Sequence, residues 1–84
     1  MVNDGDCVAI FHSIHRVMKV EKILLAEQMD ILLIPVPRQL SADCGMAVKF
    51  SLESLSQVKD TLHKVNMEAT EIWLMQSGQF QLLS

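Results

Sequence analysis

The sequence predicts an α+β domain in which two helices cover one face of an antiparallel sheet. Short apolar runs alternate with longer segments of helical periodicity in the order β-α-β-β-α-β. The chain has 84 residues, and 50% of them are hydrophobic, which suffices for one small core. In a chain this short, that order is typical of a ferredoxin-like split βαβ sandwich. We therefore expect a single domain over residues 1–84, with a short extra strand at the C-terminus.

The first half of the chain predicts a strand, a helix and a second strand. The apolar run Cys7–His12 follows a polar start and is typical of a buried strand. Ser13 is a good N-cap for a helix over Ile14–Gln28. Ile31–Ile34 then predicts a second strand, which Pro35 ends because proline cannot donate to a sheet. Five residues at helical spacing predict the core face of the helix: Ile14, Val17, Met18, Leu24 and Leu25.

The second half predicts a strand, a helix and two further strands. Their ranges are Met46–Phe50, a helix from near Ser51 to Lys64, Thr70–Gln76 and Gln79–Leu83. The helix start is open, because Ser54 with Gln57 would also form a capping box. Ser77 and Gly78 predict the turn of a C-terminal hairpin. The predicted core residues of the helix are Leu52, Leu55, Val58, Leu62 and Val65.

Charge and composition exclude several classes of function. The net charge of −3 provides no electrostatic footprint for nucleic acid. The polar, acidic residues 1–6 do not resemble a signal peptide, and no apolar stretch is long enough to span a membrane. Two cysteines without a secretory context indicate reduced thiols. We therefore expect a cytoplasmic protein that binds neither nucleic acid nor membranes.

The predicted topology brings two distant segments to one end of the sheet. Right-handed crossovers would make the first two strands parallel, with the third strand antiparallel between them. The end of the first strand, the start of the first helix and the loop 35–45 then share one end of the sheet. His12, Ser13 and His15 would lie there beside the loop, which contains Cys44.

The loop has features that would hold a thiol in place and activate it. Pro35 and Pro37 stiffen its entry, and Gly45 permits a crowded backbone beside Cys44. A thiol near a helix N-terminus has its pKa lowered, because the unpaired N–H groups favour an anion, and the thiolate is the nucleophile.

Nearby charged groups could assist the thiol. Arg38 could offset the charge of Asp43, and His12 or His15 could transfer a proton near neutral pH. Each group also has a purely structural explanation. His15 could be an exposed surface residue and His12 a histidine bonded to backbone. Arg38 could simply pair with a carboxylate, and Asp43 could cap a turn.

Three other features of the sequence bear on the predicted site. Cys7 opens the first strand, about 17 Å from the end that carries Cys44, and is assigned a structural role. No CxxC or HxxxH spacing supports a metal site, and no cofactor is expected. Glu21 lies in the middle of the predicted core stripe, so it would need a partner, for which Arg38 is the candidate. The alternative is a helix rotated so that Glu21 emerges at the sheet edge.

Nearly the whole chain resembles a family of small bacterial proteins described as selenium/sulfur (Se/S) carrier-like. The resemblance rests on residues 11–13, Glu21 with Lys22, residues 33–38, and the Ser41–Gly45 segment followed by Met46–Phe50. The combination of Pro-Val-Pro-Arg with Ser-x-x-Cys-Gly is its specific part. The resemblance implies that Cys44 is the carrier thiol, with Arg38, Ser41 and Gly45 as its setting.

The leading hypothesis is a sulfur or selenium carrier that holds a persulfide, or its selenium equivalent, on Cys44. A donor such as a cysteine desulfurase would load it and an acceptor protein would unload it. This describes a stoichiometric carrier rather than a conventional enzyme. The alternative is a non-catalytic interaction or small-molecule-sensing module with a structural Cys44, which could form a homodimer through Phe80, Leu82 and Leu83. A thiol redox sensor is disfavoured, because no resolving cysteine is predicted nearby.

Overall fold

The order of strands and helices matches the prediction, and their ends differ from it by a few residues. The computed structural model describes residues 2–40 and 45–84. Its elements are β1 (Asp6–Ile10), α1 (Ile14–Ala26), β2 (Ile31–Pro35), β3 (Met46–Ser51), a 3-10 turn (Leu52–Ser54), α2 (Leu55–Lys64), β4 (Glu71–Gln76) and β5 (Gln79–Leu82). The first strand therefore begins one residue earlier and ends two residues earlier than predicted.

The five strands form one antiparallel sheet in the order β2-β3-β1-β4-β5. β3 lies between β1 and β2, as the crossover argument predicted. The central pairs run from Cys7–Phe50 to Ile10–Ala47 between β1 and β3. β2 and β5 are the two edges of the sheet. No helix in the described part of the chain is long and apolar enough to cross a bilayer.

Both helices pack against the same face of the sheet. Phe11 is the largest side chain that is almost completely buried in the cluster that they form. Strand residues on this face alternate with residues on the other face, as the strand period of two requires. The fully or nearly fully buried members of this cluster are Cys7, Ala9, Phe11, Val17, Val20, Leu24, Val48, Val58 and Leu62. Burial of these side chains is the main source of stability in a domain of this size.

The predicted core stripe of α1 was wrong in three of its five residues. Val17 and Leu24 are buried, but the third buried residue is Val20. Ile14, Met18 and Leu25 are 42%, 50% and 50% exposed. The helix is rotated because Val20 and the half-buried Ile23 continue the stripe on the side that faces the sheet and α2. As a consequence, three apolar side chains face outward.

The start of α2 also differs from the prediction. Ser51 ends β3 and its hydroxyl accepts a hydrogen bond from the Glu53 N–H at 3.2 Å, which begins a 3-10 turn before the helix. Ser54 is the formal N-cap of α2 but makes no side-chain cap, so the capping box with Gln57 does not form. Val58 and Leu62 are buried and Leu55 is half-buried, whereas Leu52 and Val65 are exposed.

The second face of the sheet has its own small core, which no helix covers. Val8 and Ile10 are completely buried there, together with Ile34 and Ala47. Leu40, from the loop after β2, is part of the same cluster, and Val36 packs against it. Val2, Trp73 and Phe80 pack against the same cluster, so the loop covers this face together with side chains from the N-terminal segment and from β4 and β5. It also explains why β1 is an uninterrupted apolar run, since both of its faces are buried.

The C-terminal hairpin forms as predicted. Ser77 and Gly78 both have positive φ, 53° and 75°, which a tight type I′ turn requires. The Asp4 carboxylate accepts a hydrogen bond from each of their N–H groups at 3.2 Å. The segment before β1 is thus fastened to the β4–β5 turn.

Candidate thiol site

The loop that carries the thiol leaves and re-enters the sheet beside the end of β1. Pro35 pairs with Met46, and the Val36 N–H donates to the Gly45 carbonyl oxygen at 3.0 Å, which closes the loop. Ile10 pairs with Ala47. His12 lies two residues beyond Ile10 and Gly45 lies two residues before Ala47, so both are at the same end of the sheet. Gly45, which directly follows Cys44, is exposed, and so is His12.

The N-terminus of α1 begins two residues after His12, at the same end of the sheet. Ser13 has extended backbone angles and its hydroxyl accepts from the Arg16 N–H at 3.4 Å, as predicted for an N-cap. The first turn carries no acidic residue. In an α-helix the first N–H groups have no intrahelical partner, so the ends of Ile14 and His15 give this region a positive potential. An anion near this helix start would be stabilised by it.

The described part of the loop turns onto the face of the sheet opposite the helices. The Leu40 N–H donates to the Pro37 carbonyl oxygen at 3.0 Å, which makes a turn with Arg38 and Gln39 at its tip. Arg38 and Gln39 are exposed, whereas Leu40 is 7% exposed and packs in the second core. Leu40 thus fixes the chain at the position just before the segment that contains Cys44.

Seven of the nine predicted site residues fall into three groups. His12, Ser13 and Gly45 lie at the shared end of the sheet. His15 instead lines a depression on the outer side of α1 with Met18, Lys19 and Lys22. Ser41, Asp43 and Cys44 lie outside the described residues, so their predicted roles stay predictions.

Glu21 and Arg38 form no ion pair in the described ranges 2–40 and 45–84. Glu21 is half-buried on α1, which lies on the helix-covered face, while the turn with Arg38 is held on the opposite face by Leu40. The rotated α1 explains this arrangement, since Glu21 lies among the outward-facing apolar residues. The position of Glu21 agrees better with the alternative expectation, in which the helix is rotated so that Glu21 emerges at the sheet edge.

Sequence reasoning did not identify Leu40 as part of the site. It is the single large aliphatic residue between Arg38 and Gly45, in a segment otherwise made of polar and small residues. An isolated large apolar residue in a polar loop indicates an anchor, because its burial fixes the loop to the core. That signal was present in the sequence.

Cys7 has the properties of a structural cysteine. It is a free thiol with 0% exposure, on the helix-covered face of β1. Burial raises the pKa of the Cys7 thiol, and the negative charge of Asp6 raises it further. The thiol is therefore neutral and inaccessible at physiological pH. Cys7 is therefore unsuited to act as a nucleophile.

The buried Cys7 thiol predicts a loss of stability at high pH. A thiol ionises at pH about 8.5 in an unfolded chain, and its pKa is raised in the folded state. The stabilisation is therefore complete below the unfolded pKa and is lost as pH rises through the folded pKa. In a Cys44→Ser background, we expect the free energy of unfolding by urea to fall more steeply between pH 8 and pH 10 than it does after Cys7→Ala. Equal slopes in both proteins would contradict the assignment.

The Leu40 anchor predicts a link between packing and thiol reactivity. We expect Leu40→Ala to lower the free energy of unfolding by about 2 kcal/mol or more and to change the alkylation rate of Cys44 by iodoacetamide severalfold at pH 7. The matched control is Leu82→Ala, which removes a leucine that is 57% exposed on β5 and should leave the rate unchanged. A Leu40→Ala protein whose Cys44 reacts at the wild-type rate would show that the anchor does not position the thiol.

The described residues contain no group of three or more His, Cys, Asp or Glu side chains that could hold a metal ion. The observed features of the site are the loop closure, the helix start and the Leu40 anchor. These features define a class: a small α+β protein with a cysteine loop fastened across the end of an antiparallel sheet.

Comparison with known families agrees with this class. The family model described as "Putative Se/S carrier protein-like" matches residues 6–74 of the chain. That range is most of the 84 residues and includes the loop and both helices, so the chain belongs to this family, as the sequence resemblance implied. No curated protein and no solved structure gives a significant match.

Proposed function

We propose that this protein is a carrier that holds sulfur, or selenium, on Cys44 and passes it from a donor protein to an acceptor protein. The observation that carries the proposal is the closed loop between Val36 and Gly45, which starts and ends at the same end of the sheet as the N-terminus of α1. Membership of the carrier-like family supports it. Cys7 is excluded from this role by its burial.

The proposed transfer is a thiol–persulfide exchange. The Cys44 thiolate attacks the terminal sulfur of a persulfide on the donor, for which a cysteine desulfurase is the expected class. A new S–S bond forms on Cys44, the S–S bond of the donor breaks, and the donor cysteine leaves as a thiolate. No external oxidant or reductant is consumed. A second exchange of the same kind passes the sulfur to the acceptor.

The surroundings of the loop suit a carrier better than a conventional enzyme. Transfer requires an accessible thiol of lowered pKa and little further apparatus. We assign the positive end of α1 the role of stabilising the thiolate, and Arg38 that of offsetting Asp43. His12, two residues beyond the last β1–β3 pair, is the candidate for proton transfer. Ser41 and Gly45 complete the setting that the family resemblance implies, and we expect the protein to act in the cytoplasm.

We further infer a ferredoxin-like sandwich with one added strand. The order of the first four strands, β2-β3-β1-β4, with both helices on one face, supports this inference. The fold alone carries no function, since many unrelated activities use it. The proposal therefore rests on the loop and its surroundings.

The test is a loading experiment. The reduced protein is incubated with a cysteine desulfurase and L-cysteine, and its intact mass is recorded. We expect a gain of one sulfur atom that a reductant removes. The same incubation without the desulfurase is the control. An unchanged mass with several desulfurases and with an inorganic polysulfide as donor would refute the proposal.

A further inference from the structure

The outer side of α1 carries an apolar stripe that the domain itself does not cover. Ile14, Met18 and Leu25 are 42%, 50% and 50% exposed. At 100° per residue they lie within about 40° of one another around the helix. Glu21 lies in the same sector. The opposite side of α1 faces α2, since the Arg16 guanidinium donates to the Asn66 carbonyl oxygen at 3.3 Å just after α2.

The stripe lies above a free strand edge. α1 packs over β2 and β3, and β2 is the outermost strand on that side. None of its residues, Ile31–Pro35, is charged. Native edge strands are usually protected by charges, bulges or a covering segment. Leu32, in the middle of β2, is 55% exposed on the other face of the sheet.

The hydrogen-bonding groups of β2 alternate between β3 and solvent. The backbone N–H of Val36 donates to Gly45 on the β3 side. The backbone N–H and C=O groups of Ile34 and Leu32 therefore also face β3, whereas those of Ile31 and Leu33 face outward. Pro35 also falls on the outward side, where its missing N–H costs no bond to β3. The edge thus offers two N–H and two C=O groups from Ile31 and Leu33 for pairing.

We propose that β2 and the outer stripe of α1 form the interface of a symmetric homodimer, in which the occupant is a second copy of this chain. Antiparallel β2–β2 pairing about Leu32 would join Ile31 of each copy to Leu33 of the other by four hydrogen bonds. It would also bring the two Leu32 side chains together across the two-fold axis. The five-stranded sheet would become a continuous sheet through both copies.

The spacing of the helices suits this pairing. Adjacent strands are about 4.8 Å apart. Because α1 lies over β2 and β3, the two α1 axes would be two strand spacings apart, about 10 Å, which is within the ordinary packing distance of two helices. Edge pairing would therefore bring the two apolar stripes into contact without moving either helix.

The stripe is also self-complementary in chemistry. A two-fold axis midway between Met18 and Leu25 falls between Glu21 and Lys22. Met18 of one copy then faces Leu25 of the other, and Glu21 of one copy faces Lys22 of the other. An acidic residue in an apolar stripe is costly without a partner, and this arrangement supplies one. The dimer accounts for Glu21, which has no ion pair within the described part of the chain.

The opposite edge of the sheet suits pairing less well. The homodimer surface expected from the sequence included Phe80, but Phe80 is half-buried and packs against the second core. The residues of β5 alternate polar and apolar, with the exposed Gln79 and Gln81 on either side of the half-buried Phe80. Leu82, at the end of this edge, is 57% exposed and therefore provides a control matched to Leu32.

The oligomeric state tests the proposal. Light scattering with size-exclusion chromatography should give a mass of about 19 kDa for the wild type, twice the 9.5 kDa of the chain. The protein is loaded at about 100 μM, because this concentration is well above a micromolar Kd for the dimer. We expect Leu32→Lys to raise the dimer Kd tenfold or more and Leu82→Lys to leave it unchanged. A monomeric wild type, or a dimer broken by Leu82→Lys and kept by Leu32→Lys, would overturn the proposal.

A charge exchange provides a second test that does not depend on the edge strand. Glu21→Lys should weaken the dimer, because the introduced lysine of each copy would face Lys22 of the other copy. Glu21→Lys with Lys22→Glu should restore the dimer, because each lysine again faces a glutamate. Circular dichroism confirms that each variant is folded. A double variant no tighter than Glu21→Lys alone would overturn the predicted helix contact.

Discussion

Replacing Cys44 with serine is expected to abolish sulfur loading completely, while replacing Cys7 with alanine leaves it intact. The hydroxyl of serine is not ionised near neutral pH and cannot form a persulfide, so the variant loses the atom that accepts sulfur. Cys7 is buried, and its raised pKa keeps it neutral. Intact mass after incubation with a desulfurase and L-cysteine separates the two cysteines in one experiment.

The two variants also control for each other. Both remove one thiol, and Cys7→Ala also leaves a small cavity in the packed core and lowers stability. Loading that survives in Cys44→Ser and disappears in Cys7→Ala would show that Cys7 accepts the sulfur, and would contradict the proposed function of Cys44. A titration of thiolate absorbance tests why Cys44 would react. We expect Cys44 to ionise below pH about 8.5, the ordinary value of a free thiol.

Replacing Phe11 with alanine is expected to have the largest effect on stability. Phe11 is 1% exposed, between the end of β1 and the helices. Deletion of a buried phenylalanine side chain costs about 3–5 kcal/mol, in a domain whose total stability is of the order of 5–15 kcal/mol. The melting temperature should fall by about 15 °C or more, since 1 kcal/mol corresponds to roughly 4–8 °C at this size.

Phe80→Ala is the matched control for this prediction. Phe80 is only half-buried, at the edge of the second core, so its loss should cost less than half as much. Both proteins are unfolded by urea at the same chain concentration, because dimer formation makes stability concentration-dependent. A Phe11→Ala protein within about 1 kcal/mol of the wild type would contradict the packing described for β1.

The fold could be predicted from local patterns because each pattern had one dominant explanation. The proline at position 35, the serine at position 13 and the Ser77–Gly78 turn each mark a boundary by backbone geometry alone. The rotation of α1 could not be predicted in this way. Two apolar stripes overlap on that helix, and only the positions of the sheet and α2 decide that Val20 is buried and Met18 is exposed.

The site was predicted in part. The end of the sheet that gathers His12, Ser13 and Gly45 followed from topology, because crossovers have a fixed hand. The course of the loop did not follow, since nothing local shows which face of a sheet a loop covers. Leu40 decides this through a contact with residues distant in sequence, Val8 and Ile10. For the same reason the suggested Glu21–Arg38 pair could not be judged from the sequence.

The unequal covering of β1 has a consequence for hydrogen exchange. One side of this strand is closed by two helices, and the other side by Leu40 and Val36 of the loop together with Val2, Trp73 and Phe80. Lifting the loop would wet Val8 and Ile10 without disturbing the helices, so we expect it to be a sub-global opening of lower free energy than complete unfolding. The backbone amides of the loop and of β2 should then exchange earlier than those of β1. A donor or acceptor protein that binds the lifted loop would favour this open state. It would then have to cover Val8 and Ile10 with apolar surface of its own.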